Sequence, residues 1–386
     1  MRKMIAVGLL PWMVLAGCRG TPSKEKDYAA PLREGQFALQ QVTRRSEIPD
    51  FTRAFSDRAG LRQAVKNSLN YLGKPSSKRH FPMGPITHAR TVASLRAFVG
   101  LLETGIAPHH MNTLVRLRFD VYRSVGCDGE GTVLFTGYYT PTFNASLRRT
   151  GVFRFPLYKP PPGLVKDDEG RPVKPLPDRR TIERSKMYAG NELAWLADPF
   201  EVYIVHVQGS ARLRLPDGKE ITVGYAANNG HPYKSIRAEL VREGKIGKAA
   251  GMPSMIAYFR AHPGQIDECI RRNPRFIFFA VVPDGQPRGC LNEPVIALRS
   301  IATDKRIFPR AALAFVSADL PRSVAGKVVV RPYTGFALDQ DAGGAIRAPG
   351  RCDVYMGEGA QARARAGRAK HEGRLYYLFL KPEHVE

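Results

Sequence analysis

The chain has 386 residues, an apolar fraction of 43% and a formal net charge of +24. That length suits two domains, and that apolar fraction supplies real cores, so wholesale disorder is excluded. So basic a balance implies a polyanionic partner or surface: nucleic acid, anionic lipid or an acidic polymer such as peptidoglycan.

The N-terminus narrows this choice. Arg2 and Lys3 precede a short apolar run, 4–14, which ends in Leu15-Ala16-Gly17-Cys18. The run is too short to span a bilayer and reads as a secretory signal, 1–17. Its ending resembles a bacterial lipobox, which implies cleavage before Cys18, acylation of that cysteine and a membrane lipid anchor. Arg19 in place of an aspartate favours the outer membrane, with the protein on its periplasmic face. The alternative is an ordinary secretion signal with a chance cysteine. Export also removes nucleic acid as a partner, so the positive charge is expected to serve an anionic envelope polymer. Residues 18–50 are polar and mixed and read as a tether. An oxidising compartment permits disulfides among Cys127, Cys269, Cys290 and Cys352, with three possible pairings. No Cys-x-x-Cys spacing and no nearby histidine pattern supports a metal site, and no cofactor is expected.

Leu61, Val65, Leu69 and Leu72 recur at helical spacing behind Ser56-Asp57, and Leu95, Phe98, Val99 and Leu102 do so ahead of Gly105. From Thr132 the pattern becomes β-branched and aromatic, predicting a strand over 132–139 that ends at Thr140-Pro141. Residues 153–180 are rich in Pro, Lys and Arg and read as long loops. A strand is predicted over 201–208, then a hairpin, 212–215 and 220–225, turning at Asp217-Gly218. Short helices are predicted over 235–242, 254–262 and 265–272, and a buried strand over 276–282. Further strands are predicted over 310–316, 327–330, 352–355 and 375–380. The arginine-rich stretch 360–370 reads as a basic loop, either solvated or in contact with an anionic substrate. Short strands with Gly/Pro turns indicate a mainly β protein built on a barrel with peripheral helices.

The chemistry concentrates near the C-terminus. Asp341 and Asp353 flank a Gly-Gly and a Pro-Gly turn, and each is bordered by apolar residues. A carboxyl in that setting has a raised pKa, which a general acid working near neutral pH requires. Glycoside cleavage is the commonest use. Tyr138 and Thr140, Gln208 and Ser210, and Asn229 and Tyr233 sit in three segments dense in aromatic and polar groups, although each segment alone also reads as core or turn. Asp339-Gln-Asp341 is rejected as the start of a calcium loop, because Gly343 stands where an oxygen ligand belongs and no Glu closes the loop.

Together these segments resemble the membrane-bound lytic murein transglycosylase A family, from about residue 132 to 380, with a C-terminal three-aspartate domain. The resemblance rests on 136–141, 156–159, 197–199, 207–210, 224–236, 273–279, 299–309, 341–346, 353–357 and 371–376. It implies a double-psi β-barrel domain, 51–143 and 236–386, and a smaller inserted β-domain, 144–235, with the glycan in the groove between them. Asp353 falls on the family's catalytic aspartate, Asp341 on its support and Asp304 on a structural third. Tyr138, Thr140, Gln208, Ser210, Asn229 and Tyr233 are then the candidate sugar contacts. The implied partners are peptidoglycan glycan strands and cell-wall synthesis proteins, the protein itself being a monomer. Arg237, where a glycine is expected, Asp339, Cys290 and Cys352 depart from the pattern. Two rivals remain: an inverting hydrolase using Asp341 and Asp353 about 6.5–9.5 Å apart, and a non-catalytic peptidoglycan-binding lipoprotein. A lipid tether working through the basic charge would leave the clustered aspartates unexplained.

Overall fold

The computed structural model describes residues 26–167, 171–248 and 250–385. The secretory signal and Cys18 lie outside the described residues. The strands are β1 (Leu39–Gln41), β2 (Phe119–Ser124), β3 (Val133–Thr140), β4 (Thr142–Ser146), β5 (Phe155–Tyr158), β6 (Glu192–Leu196), β7 (Ser210–Arg214), β8 (Glu220–Asn228), β9 (Ile277–Val282), β10 (Ser300–Ala302), β11 (Leu313–Val324), β12 (Lys327–Asp341), β13 (Arg351–Glu358) and β14 (Lys370–Leu380). The helices are α1 (Thr52–Ser56), α2 (Leu61–Leu72), α3 (His88–Glu103), α4 (Pro108–Arg118), α5 (Arg179–Ser185), α6 (Pro199–Gln208), α7 (Ile236–Arg242), α8 (Met252–Ala261), α9 (Ile266–Ile270) and α10 (Gly359–Ala366).

The protein is mainly β, with two sheets. In the first, β3, β14, β11, β12, β10 and β13 follow one another, and β13 pairs again with β3, so six strands close into a barrel. Side-chain alternation explains the sequence of these strands. Along β14, Leu375, Tyr377 and Phe379 point into the barrel, whereas Tyr376, Leu378 and Leu380 meet the helices outside. Both faces are buried, so 375–380 is continuously apolar rather than alternating. On β11 and β12, Phe315, Phe336 and Leu338 point outward under α1 to α4. Phe336 is the centre of that layer, with ring centroids 4.7 Å from Phe55 and 4.8 Å from Phe98. The helical spacing at Leu61 and Leu72 is realised as α2, although its N-cap is Gly60 rather than Ser56-Asp57.

The second sheet has the order β5-β6-β4-β7-β8-β9. Its strands run from Thr142 to Val282, a wider span than 144–235. The hairpin at Asp217-Gly218 is present as β7–β8. The expected strand over 201–208 is instead α6. Asp198 caps it by accepting the Phe200 N–H, Pro199 occupies its first position, and Gly209 closes it in the left-handed region at φ 78°. Its apolar, β-branched composition reflects burial on two sides: Val202 and Val205 pack on the sheet, and Phe200, Tyr203 and Ile204 pack on α7 to α9. The 360–370 stretch is also not simply a loop, since α10 covers most of it. Two of its arginines grip backbone: Arg365 donates to the Met356 carbonyl at 2.6 Å, and Arg368 to that of Val328.

One end of the barrel interior holds charge. The Asp339 carboxylate is fully buried. It accepts from Tyr377 Oη at 2.7 Å and Thr303 Oγ1 at 2.7 Å, and it pairs with the buried Lys305 ammonium. Removing one partner of such a pair strands the other charge. Asp339→Ala is therefore expected to destabilise the protein by roughly 3–5 kcal/mol, read as a fall in the urea or thermal midpoint of the full chain. An unchanged midpoint would refute this account.

Candidate active site

β13 alternates as strictly as β14. Cys352, Val354 and Met356 point into the barrel, and Arg351, Asp353 and Tyr355 occupy its outer face. Beside them runs β3, parallel, with Asp353 opposite Thr136 and Tyr355 opposite Tyr138. On the other side β10 brings the two aspartates together, because Ala302 is paired with both Asp341 and Asp353.

Asp353 keeps one carboxyl oxygen free. Its Oδ1 is buried and has no hydrogen-bond partner. Burial pushes its pKa up to about 6, against the opposing pull of Arg351 and Thr136, and Asp341 adds to the rise. Asp341 is more fully engaged. Its Oδ1 accepts the backbone N–H of Cys290 at 2.9 Å and of Ala342 at 2.8 Å. Burial nevertheless raises its pKa above the ordinary value. Gly289 makes the Cys290 contact possible: a Cβ there would lie 2.5 Å from the Gln340 carbonyl oxygen. Tyr138 stands over the pair, its hydroxyl buried without a well-formed hydrogen bond. Burial and the neighbouring Asp341 hold that phenol well above its usual pKa.

The other expected residues fall in different places. Thr140 and Ser210 join the barrel to the second sheet: Thr140 Oγ1 lies 3.2 Å from Ser210 Oγ and 2.9 Å from Tyr355 Oη. Gln208 adds to the same junction, its Oε1 accepting the Tyr139 N–H at 3.1 Å. Tyr233 packs against the Asp341 loop at Gly344. A Cβ on Gly344 would sit 3.2 Å from its Cβ and 3.7 Å from Arg275 Nε, so that glycine is set by close approach. Asn229 lies elsewhere. It is fully buried, gives its amide hydrogens to the Pro177 and Pro274 carbonyls, and accepts the Phe276 N–H at 2.8 Å. Asp304 is buried behind the site, where it accepts from Arg306 at 2.6 Å and from the Ala348 N–H at 3.1 Å. Burial opposes its ionisation, but these donors hold its carboxyl below the usual range.

Of the departures from the expected pattern, Cys290 meets Asp341 through its backbone N–H, a contact independent of its side chain, and the others lie away from that carboxyl. Arg237 donates to the Lys248 carbonyl at 2.6 Å, Asp339 faces the barrel interior, and Cys352 is buried on the inner face. Cys127, Cys269, Cys290 and Cys352 are all free thiols. Arg351, Thr136 and Tyr355 were not singled out from sequence as candidate site residues. Period-two spacing from Asp353 was the signal available for Arg351 and Tyr355.

The fold places the chain among the murein-cleaving lytic transglycosylases. It superposes on the crystal structure of a membrane-bound lytic murein transglycosylase from Agrobacterium tumefaciens with a TM-score of 0.74 and 28% identity, over 89% of this chain and 98% of that one. The structure of E. coli MltA with bound chitohexaose matches with a TM-score of 0.68 and 25% identity, over 94% and 98% of the two chains. In sequence, the MltA specific insert domain matches residues 134–280 and the 3D domain matches 299–379. Membrane-bound lytic murein transglycosylase A of Escherichia coli K12 is 31% identical over 266 residues, 68% of this chain and 70% of its own length. The Vibrio cholerae protein of the same name is 27% identical over 278 residues. The chain belongs to the membrane-bound lytic murein transglycosylase A family.

The raised Asp353 pKa sets the sign of a stability effect. Between its ordinary value of 3.8 and about 6 the folded state holds the proton more tightly. Stability therefore falls as pH rises through that window. Asp353→Asn removes the titration, so the variant is expected to gain thermal stability relative to wild type at pH 7.5 and to lose that advantage near pH 3.5. Parallel melting curves at both pH values would contradict the burial of this carboxyl.

Proposed function

We propose that this chain is a lytic transglycosylase that cleaves the β-1,4 bond between N-acetylmuramic acid and N-acetylglucosamine without hydrolysis. Asp353 serves first as general acid and then as general base. The observation that carries the reading is its buried, unpartnered Oδ1 on a carboxyl whose pKa is near 6. The protonated carboxyl donates to the glycosidic oxygen, and C1 of the muramoyl residue gains oxocarbenium character. The resulting carboxylate takes the proton from the C6 hydroxyl of the same sugar, and O6 closes on C1 to give the 1,6-anhydro end. One carboxyl performs both steps, and tethering lets the hydroxyl compete with water. Asp341, committed to the Cys290 and Ala342 N–H groups, holds the loop and adds negative charge that keeps Asp353 protonated.

The glycan lies along the outer face of β3 and β13, between the barrel and the second sheet. The bound chitohexaose of the E. coli relative supports a glycan ligand. Tyr138 faces the sugar, Tyr233 borders the loop, and Thr140, Gln208 and Ser210 fix the angle between the two units. In this reading the division is a barrel domain interrupted by an inserted β-domain. The parallel pairings β10–β12 and β13–β3 within the closed barrel support double-psi topology. Acylation at Cys18 would hold the protein at the outer membrane. The relatives' name calls them membrane-bound, and no helix among the described residues is long and apolar enough to cross a membrane.

The nearness of Asp341 to Asp353 favours one rival, inverting hydrolysis. Mass spectrometry of the released muropeptides separates the two: anhydro ends are expected, whereas reducing ends alone would sink the proposal. Asp353→Asn is expected to lower kcat by at least about 10²-fold. The protonated form is the active one, so kcat/KM should fall as pH rises through about 6. Asp341→Asn removes a charge that raises the Asp353 pKa, and this alkaline limb should move to lower pH.

A further inference from the structure

Arg351 is two residues before Asp353 on the same outer face of β13, roughly 7 Å along the strand. Its Nη2 donates to Thr136 Oγ1 at 3.2 Å. Its Nε is buried and has no hydrogen-bond partner. Asp353 feels the charge, yet among the described residues no carboxylate forms an ion pair with it. Buried donors are almost always satisfied, and the planar guanidinium fork matches a carboxylate. Its Nε thus lacks an acceptor within the fold, and because the residue as a whole is only half-buried, an acceptor carried by substrate can approach the guanidinium fork beside the general acid. Lys370 extends the positive field. It is exposed and sits opposite Thr136 on β14, so the register Asp353–Thr136–Lys370 crosses three strands.

Muramic acid differs from glucosamine by a lactyl ether on O3, about one sugar ring from the scissile oxygen. In peptide-free strands its carboxyl is free. In peptide-bearing strands it is amide-linked, and the nearest carboxylates belong to the stem. We propose that Arg351 binds a carboxylate carried by the muramoyl residue over Asp353, and so distinguishes murein strands from neutral N-acetylglucosamine oligomers. This rests on the transglycosylase reading above.

The test uses the full chain carrying Asp353→Asn to stop turnover. Affinities are measured for peptide-free murein oligosaccharides, peptide-bearing ones and chitohexaose over a range of salt. Adding Arg351→Gln is expected to lower the ratio of anionic to neutral affinity at least ten-fold and to flatten its salt dependence. Arg351→Lys should recover part of it, and melting curves confirm that each variant is folded. Loss on peptide-free strands alone assigns the lactyl carboxylate, and loss on peptide-bearing strands alone assigns the stem. A parallel loss on all three ligands, or no loss, overturns the proposal and leaves Arg351 a brace for Thr136. The transglycosylase reading fails separately, if the wild-type chain releases no glycan product.

Discussion

The site depends on the closure of the barrel by β3. This strand pairs in parallel with β13 and antiparallel with β14, and so removes both free edges. Closure puts Phe135 and Tyr139 inside and leaves Thr136, Tyr138 and Thr140 on the outer face beside Asp353 and Tyr355. The same strand runs through Pro141 into β4 of the second sheet. One segment therefore closes the core, lines the site and carries the second unit to its place. A one-residue slip of β3 against β13 would turn Tyr138 inward and dismantle all three.

Environment, not chemistry, makes the two aspartates unequal. Asp341 ends β12 at a Gly-Gly turn, where backbone N–H groups engage it. Asp353 lies mid-strand, where the neighbouring N–H and C=O groups are used by the sheet, so its Oδ1 has nothing to accept. Desolvation then keeps the proton on Asp353 into the range where a general acid is useful. The cost is a desolvated carboxylate at neutral pH, which the fold holds less comfortably than the protonated form. Asp339, two residues before Asp341, follows the opposite logic. Lys305, Tyr377 and Thr303 surround it, which marks it as part of the barrel interior.

How legible the chain was depends on what each residue reports. The α2 spacing, the β7–β8 hairpin and the long apolar run of β14 were readable because local pattern and tertiary burial agree there. α6 mimics a core strand in sequence, because a helix buried on two sides has no amphipathic stripe and its composition is β-branched. Its Asp198-Pro199 start and Gly209 stop were the better signals. β4, β5 and β6, within or near the Pro-rich region, are too short to show a period in sequence. At the site, Asp341 and Asp353 stood out through their apolar neighbours and Gly-containing turns. Asn229, equally conspicuous in its loop, is a buried brace, and residue type alone could not separate it from Tyr233.

By itself the sequence determined the family, the candidate acid and the mainly β character, because motif spacing, side-chain alternation and turn chemistry are local properties written in residue order. Only the tertiary structure decided which aspartate is left unsatisfied, since that depends on N–H groups arriving from Cys290 and Ala342. It also decided that Arg351, rather than the arginines of α10, stands beside the acid. In α10, Arg365 donates to the Met356 carbonyl, whereas Arg351 is aimed by the pleat of β13 onto the outer face that carries Asp353, where among the described residues no carboxylate forms an ion pair with it.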